Sequence, residues 1–502
     1  MAKVTSSPVL QTTGGKLRGV CCDGIYQFKN ILYATAERFE PPRPAAWEGL
    51  RDCLSYGFAP PLLNRNDIGN DFYVPHYYWP TDEKECLNLN VWTPTLEKDA
   101  KKPVIVGLYG GSFETGFCAE MLAYDGTNLC RDGDVVYVTL NMRINMLGFF
   151  DLSSFPDGYE NSGNLGFEDV LCGLHWVRDN ITQFGGDPNN VTIFGSQGGG
   201  LRIRYLLQCP AFKGLFRNAF NASGVVDHGR PFPPEAHRQV ALSMLENAGF
   251  PGNSIQPLKE MPWEQLTQLY KNTLKKENIR FRWRPVLNAW SYGRVEDEGV
   301  CPEMTDVTLV VGHTYSENSF RPEQHPDGRI SMEDFDTEAQ NRFGEDKNQI
   351  LSLFEELYPE MDIRDSLYMG ADHRVSVDEY AQLQVKVGAT VYSYVFAPEL
   401  ALWGGIPAYH CCDVPYMLRN LDMVPAVWME EHTERLMEQY SGMLIALAKT
   451  GNPNHAGMPE WKPYSAEEKH TMWFGKETKL CNKNDRPLAE LLDKHRVKNH
   501  KK

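Results

Sequence analysis

The sequence lacks any long apolar run, and this absence excludes several classes of protein. No stretch of the 502 residues approaches the ~18 consecutive apolar residues of a membrane-spanning helix. The opening Met-Ala-Lys-Val-Thr-Ser-Ser has no apolar segment of the kind found in signal peptides, so we expect no secretory signal. Internal repeats and low-complexity segments are also missing. We therefore expect a globular, cytoplasmic protein with no membrane contact.

Positive charge is scarce. The 50 lysines and arginines are outnumbered by 66 aspartates and glutamates, which leaves a formal net charge of −16. A surface of this sign repels nucleic acid and anionic membranes. The one basic run, at 494–502, has the composition of a solvated terminal tail. We therefore expect no nucleic-acid partner.

The 12 cysteines do not follow the spacing of a metal site. They are scattered along the chain, and the two adjacent pairs, Cys21–Cys22 and Cys411–Cys412, have a geometry that rarely chelates metal. Without a secretory signal, reduced thiols are the default state. We therefore expect twelve free thiols, no metal and no cofactor.

Strands that alternate with helices dominate the rest of the pattern. Helical spacing covers 166–184, 201–208 and 431–449, and short apolar runs predict strands at 103–109, 134–140, 191–194, 219–223, 307–311 and 390–396. Such alternation predicts a mainly parallel sheet covered by helices on both faces. The mostly helical segments 225–300 and 331–385 fit insertions over that sheet, so we expect one domain over residues 1–502.

The stretch Gly195-Ser196-Gln197-Gly198-Gly199 joins the strand at 191–194 to a helix. A strand, a turn flanked by glycines and a helix form the nucleophile elbow of α/β-hydrolases, whose pattern is Gly-x-Ser-x-Gly. The elbow lifts its central side chain above the sheet. Here that residue is Gln197, and a carboxamide cannot attack an ester.

Three further features follow predicted strands, at the edge where open α/β sheets bind ligands. Tyr109-Gly-Gly-Ser-Phe113 can aim backbone N–H groups at an oxyanion, with Gly198 N–H as a further donor. Glu317 follows the strand at 307–311, and His410 lies in a loop after 390–396. The order nucleophile position, acid, base is that of α/β-hydrolases. His175, His313 and His373 are alternative bases, but His175 lies on a predicted helix and the other two do not fit the order.

Together these stretches resemble the type B carboxylesterase and cholinesterase family, and most closely its bacterial branch typified by para-nitrobenzyl esterase. The matching segments span nearly the whole chain: 85–94, 109–113, 163–169, 176–188, 191–200 and 450–454. The resemblance implies the α/β-hydrolase fold, a small ester-like ligand and a monomer or homodimer.

The resemblance also assigns positions. It implies an oxyanion hole from the N–H groups of Gly111, Ser112 and Gly198, with Glu317 as the acid and His410 as the base. Gln197 takes the nucleophile position. Arg143 and Asp169 fall on a structural ion pair of the family.

This chain departs from the family where chemistry is concerned. The family's Gly-Glu-Ser-Ala-Gly reads Gly-Ser-Gln-Gly-Gly here, so the nucleophile and both its neighbours differ. The family has small residues where this chain has Arg202 and Arg204, which suggests either a remodelled pocket or a shifted helix face. The cysteine that pairs with the one at Cys86 is missing. From the pattern alone, restoring serine at 197, together with Ser196→Glu and Gly198→Ala, is expected to favour activity.

Three functions remain open at this point. The first is a non-hydrolytic pseudoesterase that keeps a ligand pocket and in which the Gln197 carbonyl accepts from Gly111 or Gly198 N–H. The second is an enzyme that uses Ser196, the Glu317–His410 dyad or, with less support, Cys411. The third is a structural or interaction protein, for which the sequence offers no repeat or anchor.

Overall fold

The computed structural model describes residues 3–63, 79–226, 231–429, 431–482 and 485–495. The sequence also predicts a polar, aromatic-rich loop over 62–79, and most of it lies outside these ranges, as does the basic run beyond residue 495. All twelve cysteines fall within the described part of the chain and are free thiols.

The strands range from two-residue segments to an eleven-residue central strand. They are β1 (Val4–Ser6), β2 (Leu10–Gln11), β3 (Lys16–Arg18), β4 (Val20–Cys22), β5 (Ile25–Leu32), β6 (Ala34–Thr35), β7 (Arg43–Pro44), β8 (Leu50–Asp52), β9 (Asn88–Thr93), β10 (Lys102–Leu108), β11 (Val136–Leu140), β12 (Gly186–Ser196), β13 (Asn218–Ala222), β14 (Thr308–Thr314), β15 (Val391–Phe396), β16 (Glu399–Leu400), β17 (Ile406–Pro407), β18 (Thr471–Phe474) and β19 (Thr478–Cys481). All six strands predicted from apolar runs are present.

The α-helices carry the chain back between the strands. They are α1 (Thr127–Gly133), α2 (Asn145–Phe149), α3 (Leu165–Asn180), α4 (Gly198–Leu206), α5 (Pro234–Asn247), α6 (Gln256–Glu260), α7 (Trp263–Glu277), α8 (Val295–Glu298), α9 (Met332–Phe343), α10 (Lys347–Leu357), α11 (Ala371–Lys386), α12 (Val414–Met417), α13 (Thr433–Thr450) and α14 (Arg486–Lys494). None of these helices combines the length and the apolar character that crossing a bilayer requires.

One twelve-stranded sheet organises the molecule. Its order is β1-β4-β5-β9-β11-β10-β12-β13-β14-β15-β18-β19. The seven neighbours from β11 to β18 pair in parallel, and the strands outside them pair antiparallel. The mainly parallel sheet expected from the sequence is confirmed.

Burial along β12 shows that both faces of the sheet are covered. Successive residues of a strand point to opposite faces. Val191 and Ile193 are buried on one face, and Thr192 and Phe194 are buried on the other. Helices α3, α4 and α13 pack against β12, and α11 packs against β14 and β15. The segments 225–300 and 331–385 carry helices α5–α8 and α9–α11 between strands of the sheet, as expected of insertions.

The ion pair expected at Arg143 and Asp169 is present and buried. Arg143 Nη2 lies 2.7 Å from Asp169 Oδ1, and Arg143 Nε and its backbone N each donate to Oδ2 at 2.9 Å. A fourth hydrogen bond, from Arg143 Nη1 to the carbonyl of Glu40 at 2.7 Å, ties the pair to the N-terminal segment. The pair thus joins α3 to the chain that follows β11.

Candidate active site

Gln197 occupies a sharp turn between β12 and α4. Its backbone has φ 54° and ψ −116°, a region that residues with a side chain seldom adopt. The backbone N–H donates to Ala222 O at 2.8 Å, and the carbonyl accepts from Leu201 N at 2.9 Å. Helix α4 starts directly after the turn, at Gly198 rather than at the predicted 201, because the glycines that mark the turn in the sequence also form its first residues.

The Gln197 side chain reaches into the loop that follows β10. Gly111 N–H donates to Gln197 Oε1 at 3.1 Å, which is one of the two contacts expected from the sequence. The fit is close, because a Cβ added at Gly110 would lie 2.6 Å from the same oxygen. The carboxamide oxygen therefore engages the Gly111 N–H, one of the donors that the family resemblance assigns to an oxyanion hole.

Gly198 lets the elbow and this loop approach each other. A Cβ at position 198 would overlap the backbone N of Ser112 and lie 2.6 Å from its Cα. Both groups belong to the backbone, so neither can rotate away. The structure therefore predicts the opposite effect for Gly198→Ala, a loss of activity, because the added methyl would push the Ser112 N–H away from its place.

Arg202, on helix α4, also ties the elbow to the loop that follows β10. Its guanidinium is fully buried and donates from Nη1 to Tyr109 O at 2.5 Å and from Nη2 to Ser112 O. The cation also lies 4.3 Å from the centre of the Tyr109 ring. Arg204, in contrast, turns to Glu296 and the carbonyl of Val225. The sequence left open a remodelled pocket or a shifted helix face, and the contacts of Arg202 support the remodelled pocket.

Glu317 is buried beyond β14 with a partner on each carboxylate oxygen. Oε1 accepts from Ser223 Oγ at 2.6 Å and from Thr314 N at 2.9 Å, and Oε2 faces His410 Nδ1 at hydrogen-bond distance. Burial by itself would raise the pKa of Glu317, but His373, His410 and the hydrogen bond from His410 lower it to about 2. The carboxylate is therefore ionised throughout the physiological range.

His410 completes the pair, and its side chain is 15% exposed. Burial alone would lower the pKa of His410, but Cys411 and Glu317, each with a side-chain hydrogen bond to the ring, raise it well above its ordinary value. Both neighbours therefore favour the charged form of the imidazole.

Three neighbours surround the pair: Ser223, which the sequence did not single out, His373, which was an alternative base, and Cys411, which was an alternative nucleophile. Ser223 supports the carboxylate, and His373 Nε2 lies 3.7 Å from Glu317 Oε2. Cys411 Sγ lies 3.7 Å from Ser196 Oγ, which joins the His410 loop to the residue before Gln197. Each contact depends on the fold of a distant segment, so the sequence carried no signal for it.

The site also concentrates unusual backbone. Five of its residues with side chains have a left-handed φ of 45° to 65°: Ser112, Gln197, Ser223, Glu317 and Cys411. Strained positions of this kind cluster at functional sites, where the surrounding structure enforces them.

Glu317→Gln is expected to lower the free energy of unfolding by about 2–3 kcal/mol at pH 7, and by much less near pH 2. Because the folded-state pKa is depressed, the carboxylate stabilises the fold fully above its ordinary value of 4.5 and loses this effect as the pH falls to about 2. Urea unfolding of both proteins at several pH values measures the difference. Glu303→Gln, which changes an exposed carboxylate, is the control. A difference that does not vary with pH would contradict the assignment.

Comparison with known proteins places this geometry in context. The model of the carboxylesterase family matches residues 6–493. The chain is 30% identical over 493 residues to the para-nitrobenzyl esterase of Bacillus subtilis, a match that covers 94% of this chain and 96% of the relative. It is 28% identical over 499 residues to the phenmedipham hydrolase of Pseudarthrobacter oxydans, covering 94% and 95% of the two chains.

Solved structures agree with these relatives. An esterase from Clostridium hathewayi, described as able to hydrolyse aliphatic aromatic polyesters, superimposes with a TM-score of 0.91 at 34% identity. That match covers 99% of this chain and 100% of the esterase. A thermophilic para-nitrobenzyl esterase gives a TM-score of 0.76 at 28% identity over 96% and 99% of the two chains. By family model, sequence and fold, this chain belongs to the carboxylesterase family.

Proposed function

We propose that this protein is a non-hydrolytic member of the carboxylesterase family that binds a small ester-like ligand. One observation carries the proposal: Gln197 stands at the strained turn between β12 and α4 and places its Oε1 on the Gly111 N–H. The residue both replaces the nucleophile and occupies a donor that an oxyanion would need.

The loss of a serine is large in energetic terms. Removing the serine of a catalytic triad costs roughly 10⁶ in kcat, which is about 8 kcal/mol of transition-state stabilisation. The oxyanion hole and substrate binding alone leave about 10³–10⁴ over the reaction in water. Here the Gly111 donor is also engaged, so less than this remains.

The surroundings of His410 do not favour hydrolysis by other residues of the site. A dyad acting on water needs a neutral imidazole to take the proton, whereas Cys411 and Glu317 raise the pKa of His410 well above its ordinary value. Ser196 contacts the thiol of Cys411. Neither Ser196 as a nucleophile nor the Glu317–His410 dyad as a general base is thus favoured for ester hydrolysis.

The relatives support the class of ligand. The para-nitrobenzyl esterase and the Clostridium hathewayi esterase match this chain over nearly its whole length, and both are named as esterases. A small ester-like molecule is the ligand that such a fold is built to hold. No metal or cofactor is part of the proposal.

A fluorophosphonate probe tests the absence of a nucleophile. We expect the wild-type protein to remain unlabelled at Ser196, with p-nitrophenyl acetate turnover at the background of the buffer. Peptide mass spectrometry locates any label. Labelling at Ser196, or ester turnover that Ser196→Ala abolishes, would show that Ser196 is the nucleophile and would overturn the proposal.

Ligand binding is measured separately from turnover. A ketone isostere of a short p-nitrophenyl ester cannot be cleaved, so isothermal titration calorimetry reports its binding alone. We expect binding by the wild type. Absence of heat for this isostere and for longer acyl homologues would contradict a retained pocket.

A further inference from the structure

The candidate site holds hydrogen-bond donors that no other described residue occupies. Gly111 N–H donates to Gln197 Oε1, which fixes the orientation of the carboxamide. Within the described ranges, Gln197 Nε2 donates to no acceptor, and the backbone N–H groups of Ser112 and Gly198 have no partner either. Three free donors therefore remain around the elbow.

These donors are neighbours, and they face the open side of the site. A Cβ at Gly198 would overlap Ser112 N and lie 3.0 Å from Gly111 N, so the N–H groups of the elbow and of the loop after β10 are close together. Ser112 is exposed and Gln197 is partly exposed. Gly198 also begins the nine-residue helix α4, whose N-terminus carries a partial positive charge. A group that accepts hydrogen bonds and carries negative charge fits this arrangement.

A buried positive charge behind the loop lacks a carboxylate partner. Arg202 is 0% exposed, and its guanidinium donates to two backbone carbonyls, those of Tyr109 and Ser112. Its Nε is buried without a hydrogen-bond partner, and no carboxylate in the described part of the chain lies within ion-pair distance of it. Buried charges in proteins are normally paired. An anion bound at the elbow would supply the counter-charge.

His410 adds a second group that favours an anion. Cys411, the residue after it, contacts Ser196, the residue before Gln197, so the His410 loop adjoins the elbow. The carboxylate of Glu317 faces His410 Nδ1, and its other oxygen accepts two further hydrogen bonds. Glu317 is thus engaged on both oxygens and does not take the three free donors.

We propose that the site binds small carboxylate anions in preference to the corresponding neutral esters and amides. One carboxylate oxygen accepts from the N–H groups of Ser112 and Gly198, and the other accepts from Gln197 Nε2. The inference rests on the proposed function, because the amide donor is present only where the nucleophile is missing. It names the ligand as the acid part of an ester.

The strength of the hydrogen bonds decides between acid and ester. A carboxylate accepts charge-assisted hydrogen bonds, which are roughly twice as strong as those between neutral groups. An ester offers one good neutral acceptor, its carbonyl oxygen, and so leaves part of the donor set unsatisfied. Unsatisfied donors in a site reduce affinity. The excess of donors therefore selects the anion.

Benzoate and benzamide test the preference, because they have nearly the same shape and differ in charge. Isothermal titration calorimetry on the full-length protein measures both at pH 7, and butyrate and butyramide repeat the comparison for an aliphatic group. We expect each carboxylate to bind at least about 10-fold more tightly than its amide. Equal affinities within both pairs, absence of binding by both carboxylates, or equal binding of inorganic phosphate would overturn the proposal.

Gln197→Glu is expected to invert the preference. The variant keeps an oxygen for Gly111 N–H and replaces the Nε2 donor by a second carboxylate oxygen. Because like charges then meet, the affinity for benzoate should fall by about 100-fold or more. The affinity for benzamide should not fall, since its NH₂ group can donate to the new carboxylate, and this binding shows that the pocket is intact. An unchanged ratio of the two affinities would contradict the role of Gln197.

Arg202→Met removes the buried charge, and Arg204→Met is the matched control. Arg204 lies on the same helix, but its guanidinium contacts Glu296 and the carbonyl of Val225. We expect the ratio of benzoate to benzamide affinity to fall by about 10-fold in Arg202→Met and to stay unchanged in Arg204→Met. Each ratio is measured within one variant, so a general loss of packing affects both probes alike. Equal ratios in the two variants would contradict the contribution of Arg202.

The preference for carboxylates and the non-hydrolytic function can fail separately. Binding of the ketone isostere without binding of benzoate or butyrate would refute the preference and leave the proposed function standing. Ester turnover that Ser196→Ala abolishes would refute the non-hydrolytic function, whatever the result with benzoate.

Discussion

Gln197→Ser is expected to raise kcat/KM for p-nitrophenyl acetate by about 10³-fold over the wild-type protein. The substitution acts twice at one position. It supplies a hydroxyl at the turn that lifts its side chain above the sheet, and it withdraws Oε1 from the Gly111 N–H. Initial rates of p-nitrophenol release measure the gain, and labelling by a fluorophosphonate at residue 197 identifies the nucleophile.

The size of this gain follows from two opposing effects. A restored triad serine is worth up to about 10⁶ in kcat. One misplaced oxyanion donor costs about 10²–10³, and the Ser112 loop is held by Arg202 in a position fitted to glycine at 198. Dividing the first factor by the second leaves about 10³–10⁴, and we expect the lower value because 10⁶ is the upper limit for the serine. Because the pKa of His410 is raised, the activity should increase towards alkaline pH as the imidazole loses its proton.

Two variants serve as controls for the gain. Gln197→Ala opens the Gly111 donor without adding a nucleophile, so its rate should stay at background. Gly198→Ala added to Gln197→Ser should reduce the gain, because the new Cβ overlaps the backbone of Ser112. Equal gains from alanine and serine at 197 would show that access, and not the missing hydroxyl, limits the wild type.

Asp169→Ala is expected to lower the free energy of unfolding by about 3–5 kcal/mol. The variant leaves Arg143, which is 2% exposed, without the carboxylate that takes three of its hydrogen bonds. A buried guanidinium that loses its partner retains the cost of its own desolvation. Equilibrium urea unfolding measures the loss.

The Arg178–Asp179 pair provides the matched control for this loss. Its side chains are 51% and 44% exposed, so Asp179→Ala should change stability by no more than about 1 kcal/mol. The double variant Arg143→Met/Asp169→Leu should cost less than Asp169→Ala, since it buries no unpaired charge. Equal losses for Asp169→Ala and Asp179→Ala would contradict this account.

The sequence predicted the sheet well because its signals are local. Apolar runs such as 191–194 and the glycines after them mark strand and turn within a few residues. Glu317 and His410 each follow a predicted parallel strand, so both were expected at the same edge of the sheet, where they are in contact. The contact between Gly111 and Gln197 was also predicted, since a carboxamide at an elbow has few donors within reach.

The rest of the site depends on contacts between distant segments. Arg202 appeared in the sequence as a polar residue on a buried helix, and only the fold shows that the Tyr109 and Ser112 carbonyls receive its guanidinium. The space at Gly198 is set by the backbone of Ser112 in the loop after β10, so the structure predicts the opposite effect of Gly198→Ala from the sequence pattern. The contact between the Cys411 thiol and Ser196 joins residues 215 positions apart, so the sequence could not predict it either.

The left-handed residues of the site have a consequence for local opening. Each residue with a side chain in this region costs about 1–2 kcal/mol, so the five at the site carry a combined cost of the same order as the ~5–15 kcal/mol by which whole domains are stable. Ser112, Gln197, Ser223, Glu317 and Cys411 keep this backbone only while their neighbours enforce it. Heat or denaturant that loosens those neighbours lets all five residues leave the left-handed region together, and each then loses its unfavourable conformational free energy. The loops around the elbow are therefore expected to open as one unit, before the parallel strands beneath them separate.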